Sequence, residues 1–431
     1  MRPLFALALL GAAALGANME AWKSRTIYQI LTDRFATSDG SKPPCNLKKY
    51  CGGTWKGVER NLDYIQGMGF DAVWISPVIS NTKDGYHGYW TKNFYAYNEE
   101  FGTEADLKSL LAAVHARGMY LMVDIIANHA GPVGFDYSSI YPFNKTEHYH
   151  DCNGCPKDCN IADYMNDAEV EHCRLSGLPD LNQSNPYVRE TLIDSLITTV
   201  VPICDGIRVD TVPEVSKDFW AEMQNRLGTF CMGETYDDRI DYVAGFQGPL
   251  NSVLSYPLFF TARSVFAEGQ SMRKLGNDLE TYRKYFKDIH SLGSFMDNHD
   301  QVRFLNIQSD TWKYKNALAW TLYTEGIPII YYGTEQGFSG GVDPANREAL
   351  WLSGFDTSKD LYQFLRTSIN YRKKAKVWAY EQVERWQDDN FYAFTRGSTL
   401  VVLTNVGGTG SDQTRTITYH NYPVGTKLCN M

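Results

Sequence analysis

Reactive side chains gather in four short runs of this sequence. They are Val123-Asp124-Ile125-Ile126-Ala127-Asn128-His129, Gly206-Ile207-Arg208-Val209-Asp210, Met232-Gly233-Glu234 and Phe295-Met296-Asp297-Asn298-His299-Asp300. Each is an apolar stretch that turns polar at its end, as a buried strand does where it leaves a sheet. A lone acid in such a place is usually a helix cap or a loop hydrogen bonder. Reactive groups at four separate strand ends point instead to one site. Asp210, Glu234 and Asp300 are carboxyl groups that could attack, exchange a proton or stabilise positive charge, with Arg208, His129 and His299 around them. Arg208 lies two positions before Asp210, so both face the same side of a strand, where the guanidinium favours the ionised carboxylate. Metal ligation or general-base work is the competing reading of the two histidines.

Eight apolar segments could position these runs: 26–31, 72–76, 120–126, 206–209, 230–233, 252–256, 293–296 and 328–332. Amphipathic helical patterns lie between them, among them 104–117, 186–199, 216–227 and 314–325. Strand–helix alternation predicts a parallel sheet covered by helices, and eight strands over this length predict an α/β (β/α)8 TIM barrel. No Gly-rich dinucleotide fingerprint follows the first segment, which disfavours a doubly wound sheet. Barrel enzymes carry their reactive groups at the C-terminal ends of strands, which is where the four runs end. Residues 130–181 interrupt the rhythm with a Tyr-, Asn-, Asp- and Cys-rich stretch, long enough to be a functional insertion. The barrel is thus expected over 19–129 and 182–377. Beyond it, residues 378–431 hold β-prone runs at 391–395, 399–405 and 414–419, which predict a small all-β module, expected as a short C-terminal β-sandwich.

The chain has 431 residues and a formal net charge of -9. No Lys/Arg run forms a basic surface, so a nucleic-acid partner is not expected. Aromatic residues are abundant, with 28 Tyr, 21 Phe and 10 Trp, a composition shared by large cores and by clefts that stack on sugar rings. Met1-Arg2, an apolar run and the small residues Ala14-Leu15-Gly16-Ala17 read as a secretory leader over 1–18, too short to span a bilayer. A secreted, extracellular protein with no membrane partner follows. Nine cysteines suit an oxidising compartment. Cys45 and Cys51 bracket a short polar loop, and Cys152, Cys155, Cys159 and Cys173 crowd one segment near His148, His150 and His172. That cluster could hold zinc, but its spacing favours disulfides. Cys204 and Cys231 lie in apolar runs and read as buried thiols. Asn144-Lys-Thr and Asn182-Gln-Ser are glycosylation sequons.

The segments DIIANH, GIRVDT, MGET and FMDNHD resemble the four signature regions of the α-amylase family, glycoside hydrolase family 13. IYQILTDRF, CGGTWKGVERNLDYIQGMGFDAVWISP, YHGYW, LPDLN and GTEQGFSGGVDPANREA are similar to its fungal members, so the resemblance covers nearly the whole chain beyond the leader. It implies a retaining, endo-acting enzyme that hydrolyses internal α-1,4-glucosidic bonds of starch, glycogen and maltooligosaccharides, working as a monomer. By motif match, Asp210 resembles the nucleophile, Glu234 the general acid/base and Asp300 the third carboxylate, which binds sugar hydroxyls. His129 and His299 resemble the histidines at the cleaved sugar, and Tyr89 the aromatic stacked beside it, with His87 and Trp90 close by. Asp343 and Arg347 resemble a pair that engages the next glucose toward the non-reducing end. The resemblance also implies Ca2+, held by the side chains of Asn128, Glu171 and Asp180 and by the backbone carbonyl of Glu214.

Two departures stand out. Fungal members usually carry Lys-His three and four residues after the nucleophile, where this chain has Pro213-Glu214. That implies weakened leaving-side contacts and an altered product pattern. The C-terminal module is short against the family's eight-stranded sandwich, and Cys429 lacks its usual partner. The Pro213-Glu214 change keeps an α-glucanotransferase on the same substrates in play. A weakly active or inactive glucan-binding protein on the same fold would be marked by loss of the carboxylates; all three are present, while the short C-terminal module and the Pro213-Glu214 change keep that alternative open.

Overall fold

The computed structural model describes residues 17–156 and 158–430, so all but the last two residues of the expected leader lie outside the described residues. Eight parallel strands alternate with helices. The barrel strands are β1 (Ile27–Gln29), β2 (Ala72–Ile75), β5 (Tyr120–Ile125), β6 (Gly206–Val209), β7 (Phe230–Gly233), β8 (Ser252–Val253), β9 (Gly293–Ser294) and β10 (Ile327–Tyr331). Between the second and third of them a hairpin, β3 (Ile79–Asn81) and β4 (Thr91–Tyr97), stands outside the barrel. The sheet order is β8-β7-β6-β5-β2-β1-β10-β9. A parallel bridge between Leu254 and Gly293 joins its two ends and closes the barrel as expected.

The two-residue period of a strand sorts the side chains into two layers. On β2, Val73 and Ile75 face the helices while Ala72 and Trp74 belong to the barrel interior. On β5 and β6, Leu121, Val123, Ile207 and Val209 pack outward, so Asp124 and Arg208 project inward. The helices fit by composition and capping. Glu104–Ala116 starts on Thr103, whose side chain accepts from the Asp106 N–H while the Asp106 carboxylate accepts from the Thr103 N–H. Its Leu107, Leu110 and Val114 are buried, the spacing of one helix face. Strands β8 and β9 are shorter than their apolar segments. Tyr256 and Pro257 already begin the helix Tyr256–Phe266, and proline there suits a first helical turn and ends a strand. After β9 the backbone leaves the sheet so that Asp297 can accept from the Phe304 N–H at 2.7 Å.

The barrel floor comes from the N-terminal side. The helix Met19–Lys23 is capped by Asn18 and seats Trp22, which is fully buried and stacked on Phe230 at 5.5 Å. The Trp22 Nε1–H donates to the Asp205 carbonyl at 3.2 Å. Gly206 faces the indole so closely that a Cβ would lie 2.6 Å from it.

The described residues of 130–181 form loops, two 3-10 turns (Tyr137–Ser139 and Thr146–His148) and one brief α-helix, Asp167–Val170, tied by the disulfides Cys152–Cys159 and Cys155–Cys173. All four cysteines of the candidate zinc cluster are thereby oxidised. Cys45–Cys51 is the third disulfide, and Cys204 and Cys231 are free and buried. Past the barrel, β11 (Gln382–Gln387), β12 (Phe391–Arg396) and β13 (Thr399–Thr404) make one antiparallel sheet. It packs on the helix Thr311–Tyr323 through Trp320, 5.8 Å from Tyr392 and 6.0 Å from Phe394. Two expectations need correcting here. Residues 414–419 are not a strand, because no neighbouring strand offers them a ladder, and a single sheet does not make a sandwich.

Candidate active site

Asp124 on β5 and Arg208 on β6 meet inside the barrel because their strands are neighbours with Asp124 opposite Arg208. Arg208 is 1 % exposed and its two terminal nitrogens reach three carboxylates. One donates to Asp124 at 2.9 Å and to Asp210 at 2.7 Å, and the other lies 2.8 Å from Glu234 Oε2. Asp210 sits directly after β6 and Glu234 directly after β7, so the strand ends set both acids astride one guanidinium. Glu234 also accepts from the Tyr256 hydroxyl at 3.1 Å, and that hydroxyl accepts from the Asn298 amide at 2.8 Å.

Three carboxylates around one cation leave excess negative charge in a dry place. Burial pushes the Asp210 carboxyl well up, with Arg208 pulling it back and Glu234 and Asp124 pushing it further. Burial likewise pushes Asp124 up to about 6 against the pull of Arg208. Asp300 is more open and lies 3.3 Å from His299 Nε2 and 3.4 Å from the Arg347 guanidinium.

The histidines are held neutral. Burial, reinforced by Arg347 and Arg208, pushes His299 well below its usual value. The Gln29 amide donates to His299 Nδ1 at 2.9 Å, which leaves the Nε2–H turned toward Asp300. Tyr89 lies flat on the His299 ring, with centroids 5.2 Å apart and planes 3° apart, and its hydroxyl donates to Asp124 at 2.7 Å. His87 accepts from the Tyr89 N–H at 3.0 Å, and Trp90 stands edge-on to it. Burial lowers His129 to about 4, and its Nε2–H donates to the Tyr89 carbonyl at 3.1 Å. In this arrangement His129 fixes the loop that carries Tyr89. Asp343 and Arg347 pair at 3.0 Å.

All eleven of these expected catalytic and sugar-binding residues except Arg208 line one cleft of about 630 Å³, and Arg208 lies just beneath its floor. The cleft continues past Asp210 along Pro213, Glu214, Tyr164 and Tyr236. Residues 29–396 match the family model described as alpha amylase, catalytic domain. The chain belongs to the alpha-amylase family. It is accordingly a glycoside hydrolase. It is 38% identical over 442 residues to alpha-amylase 2 of Schwanniomyces occidentalis, covering 95% of this chain and 85% of that protein. It is 40% identical over 375 residues to alpha-amylase 1 of Lipomyces kononenkoae, covering 82% of this chain but 59% of that longer protein. The solved structure of an alpha-amylase from Malbranchea cinnamomea superposes with a TM-score of 0.87 at 39% identity, over 91% of this chain and 87% of that one.

The expected cation ligands of this family member come together only in part. One end of the Asn128 amide lies 2.9 Å from Asp180 Oδ1 and 3.2 Å from the Glu214 carbonyl oxygen. An NH2 group there makes two hydrogen bonds. An amide oxygen there completes three converging oxygens, the donor set of a hard cation, so these residues fit calcium. Asp180 is further held by His150 at 2.6 Å. Glu171 caps the end of the Asp167–Val170 helix and makes no side-chain hydrogen bond or ion pair to these groups among the described residues. A different cluster, His290, Glu325 and Glu381, lies at the opposite, N-terminal end of the barrel strands. Its histidine nitrogens bind Glu325 at 2.9 Å and Glu381 at 3.1 Å, and the Arg396 guanidinium sits 2.8 Å from Glu325. Those cations already satisfy the acids.

Sequence reading passed over three contributors. Asp124 lay inside a quoted motif without a role, although an acid inward of a strand opposite Arg208 was its signal. Tyr256 and Tyr236 carried no signal in their spacing: Tyr256 lies buried at the start of a helix and reaches the site only through its hydroxyl on Glu234, while Tyr236 lines the cleft from the loop after β7.

Proposed function

We propose that this family member is a secreted, retaining, endo-acting α-amylase that hydrolyses internal α-1,4-glucosidic bonds of starch-type glucans. The observation that carries the proposal is Arg208 holding Asp210 and Glu234 on its two terminal nitrogens. A shared guanidinium keeps two carboxyl groups close, which suits direct attack by one of them better than activation of an intervening water. In this reading Asp210 attacks the anomeric carbon and Glu234 protonates the leaving oxygen, then takes a proton from the incoming water. Asp300 and the Nε2–H of His299 bind hydroxyls of the reacting sugar, and Tyr89 stacks beneath it. Asp343 and Arg347 take the next glucose on the donor side. Calcium would be held by Asn128, Asp180 and the Glu214 carbonyl, where it clamps residues 130–181 to the barrel. Three disulfides support passage through an oxidising compartment. Proton NMR of the first product from maltoheptaose tests the mechanism: α-configured product is expected, and β-configured product would overturn it. Loss of starch cleavage in Asp210→Ala tests the assignment.

A second reading, α-glucan transfer, is favoured by the leaving side of the cleft. Pro213 replaces a charged side chain there, and Tyr164 and Tyr236 stand 54% and 56% exposed along it. Aromatic faces bind an acceptor sugar and exclude water. Products longer than a pure maltooligosaccharide substrate would establish transfer.

A further inference from the structure

Arg34 is fully buried, ionic, and remote from the three acids, yet it is among the most heavily bonded side chains in the molecule. It follows β1 on the short helix Thr32–Phe35. Its guanidinium donates to Asp33 at 2.7 Å, to the Leu47 and Lys49 carbonyls at 3.0 and 2.8 Å, and to the Arg347 carbonyl at 3.4 Å. Asp33 in turn accepts from the N–H groups of Cys51 and Gly52 at 2.9–3.1 Å. The pair thus fills the loop closed by Cys45–Cys51 and satisfies its inward backbone groups.

The other face of Arg34 looks toward the cleft. Its guanidinium lies 3.9 Å from the centroid of the Tyr86 ring, and the hydroxyl of that ring accepts from Arg347 at 3.2 Å. Arg347 also donates to the His299 carbonyl at 3.0 Å and reaches Asp343 and Asp300 at 3.0 and 3.4 Å. Two arginines therefore hold one tyrosine between them, one on its face and one on its hydroxyl. A planar guanidinium suits both contacts, and an ammonium group matches neither in shape.

We propose that Arg34 is a positioning residue for the donor side of the cleft, acting through Tyr86 on Arg347 and so on Asp300 and Asp343. The Cys45–Cys51 loop is its anchor. The oxidised loop fixes where Arg34 sits, and Arg34 fixes the plane of Tyr86. The inference rests on the donor-side role assigned to Asp300, Asp343 and Arg347 in the function proposed above.

The test is a double-mutant cycle on binding of maltoheptaose, read by calorimetry in the full-length Glu234→Gln protein. Working with binding separates the two claims: absence of turnover in the wild type would count against the proposed function and leave this cycle intact. Tyr86→Phe, which keeps the ring and removes the hydroxyl, is expected to weaken binding about tenfold, the scale of one charge-assisted hydrogen bond. Arg34→Lys is expected to do the same, with Arg34→Met no worse than Arg34→Lys because charge alone does not orient the ring. In an Arg347→Lys background each of these changes should cost less than about threefold, because the element they position is already lost. Full multiplication of the effects would overturn the proposal, as would losses that track the melting temperature and vanish once it is restored. If Arg34→Met does not fold, the conservative Arg34→Lys carries the cycle, and Tyr86→Phe, which keeps the ring, reads the Tyr86–Arg347 arm separately.

Discussion

Asp124→Asn is the perturbation that most directly tests how charge is arranged beneath the cleft. Asp124 is completely buried and never meets solvent, yet it shares Arg208 with Asp210 and Glu234. Asparagine preserves the shape and can keep an oxygen where the Trp74 and Tyr89 donors point, at 3.1 and 2.7 Å. It removes one of the three negative charges around the guanidinium. Two carboxylates on the terminal nitrogens of one guanidinium lie roughly 6 Å apart, and at an effective dielectric constant of about 20 their repulsion is about 2.8 kcal/mol, close to two pH units. The sign follows directly. Removing a neighbouring negative charge makes the remaining proton easier to lose, so both limbs of the pH–rate profile move acidward. The assay is kcat/KM on a chromogenic maltooligosaccharide from pH 3 to 9. The expected result is a profile displaced by about one to two units to lower pH, with roughly tenfold lower activity at its own optimum from the weakened Arg208 contact. An undisplaced profile, or one moved to higher pH, would refute the claim that the buried Asp124 charge acts on the reacting groups through Arg208.

Other outcomes follow from the same geometry. Asp210→Ala should lower starch cleavage by about 10⁴-fold or more while the circular dichroism spectrum stays native. Chelation should lower both the melting temperature and the activity, and Asn128→Ala should abolish that sensitivity; equal sensitivity in the variant would place the cation elsewhere. Pro213→Lys/Glu214→His should change product lengths and the ratio of transfer to hydrolysis, measured by chromatography of maltoheptaose digests, and no change in either would remove the leaving-side role. The ion pairs with Glu325 and Glu381 hold His290 above its ordinary value, Glu325 contributing most. A raised histidine adds stability that is complete below the unfolded value and is lost as pH rises through the folded one. Between pH 6 and 8 the wild type should therefore lose about 1–2 °C of melting temperature more than His290→Gln, measured by differential scanning calorimetry.

The parts of the fold legible in the sequence are those whose pattern is local. Apolar runs bounded by turns located all eight barrel strands, and the polar residue at each run's end located Asp210, Glu234 and Asp300. Boundaries failed where a neighbour overrode the run, as at Tyr256, where the ring begins a helix although its segment reads as strand. The hairpin β3–β4 was invisible because its residues alternate poorly and are ordered by the loop they carry. Residues 414–419 had strand composition without a partner, and composition cannot supply one. At the site, Arg34 and Tyr86 could not be found by spacing, because their importance lies in contacts across some 260 to 310 residues of chain.

The Trp22 floor has a practical consequence for making the protein. Trp22 stands four residues after Asn18, and the Ala17 N–H already donates to the Asp205 carbonyl at 3.1 Å. The helix that carries Trp22 thus lodges against residues 205 and 230, and its indole has no socket until both are in place. The barrel base therefore depends on a contact between residues 183 apart in sequence, and its N-terminal partner lies close to any tag or fusion placed ahead of it. A tag joined directly ahead of residue 17 would crowd the Asp205 carbonyl and tug on the floor. Residues 423–430 are exposed, so a tag carried beyond them stays clear of the described barrel strands.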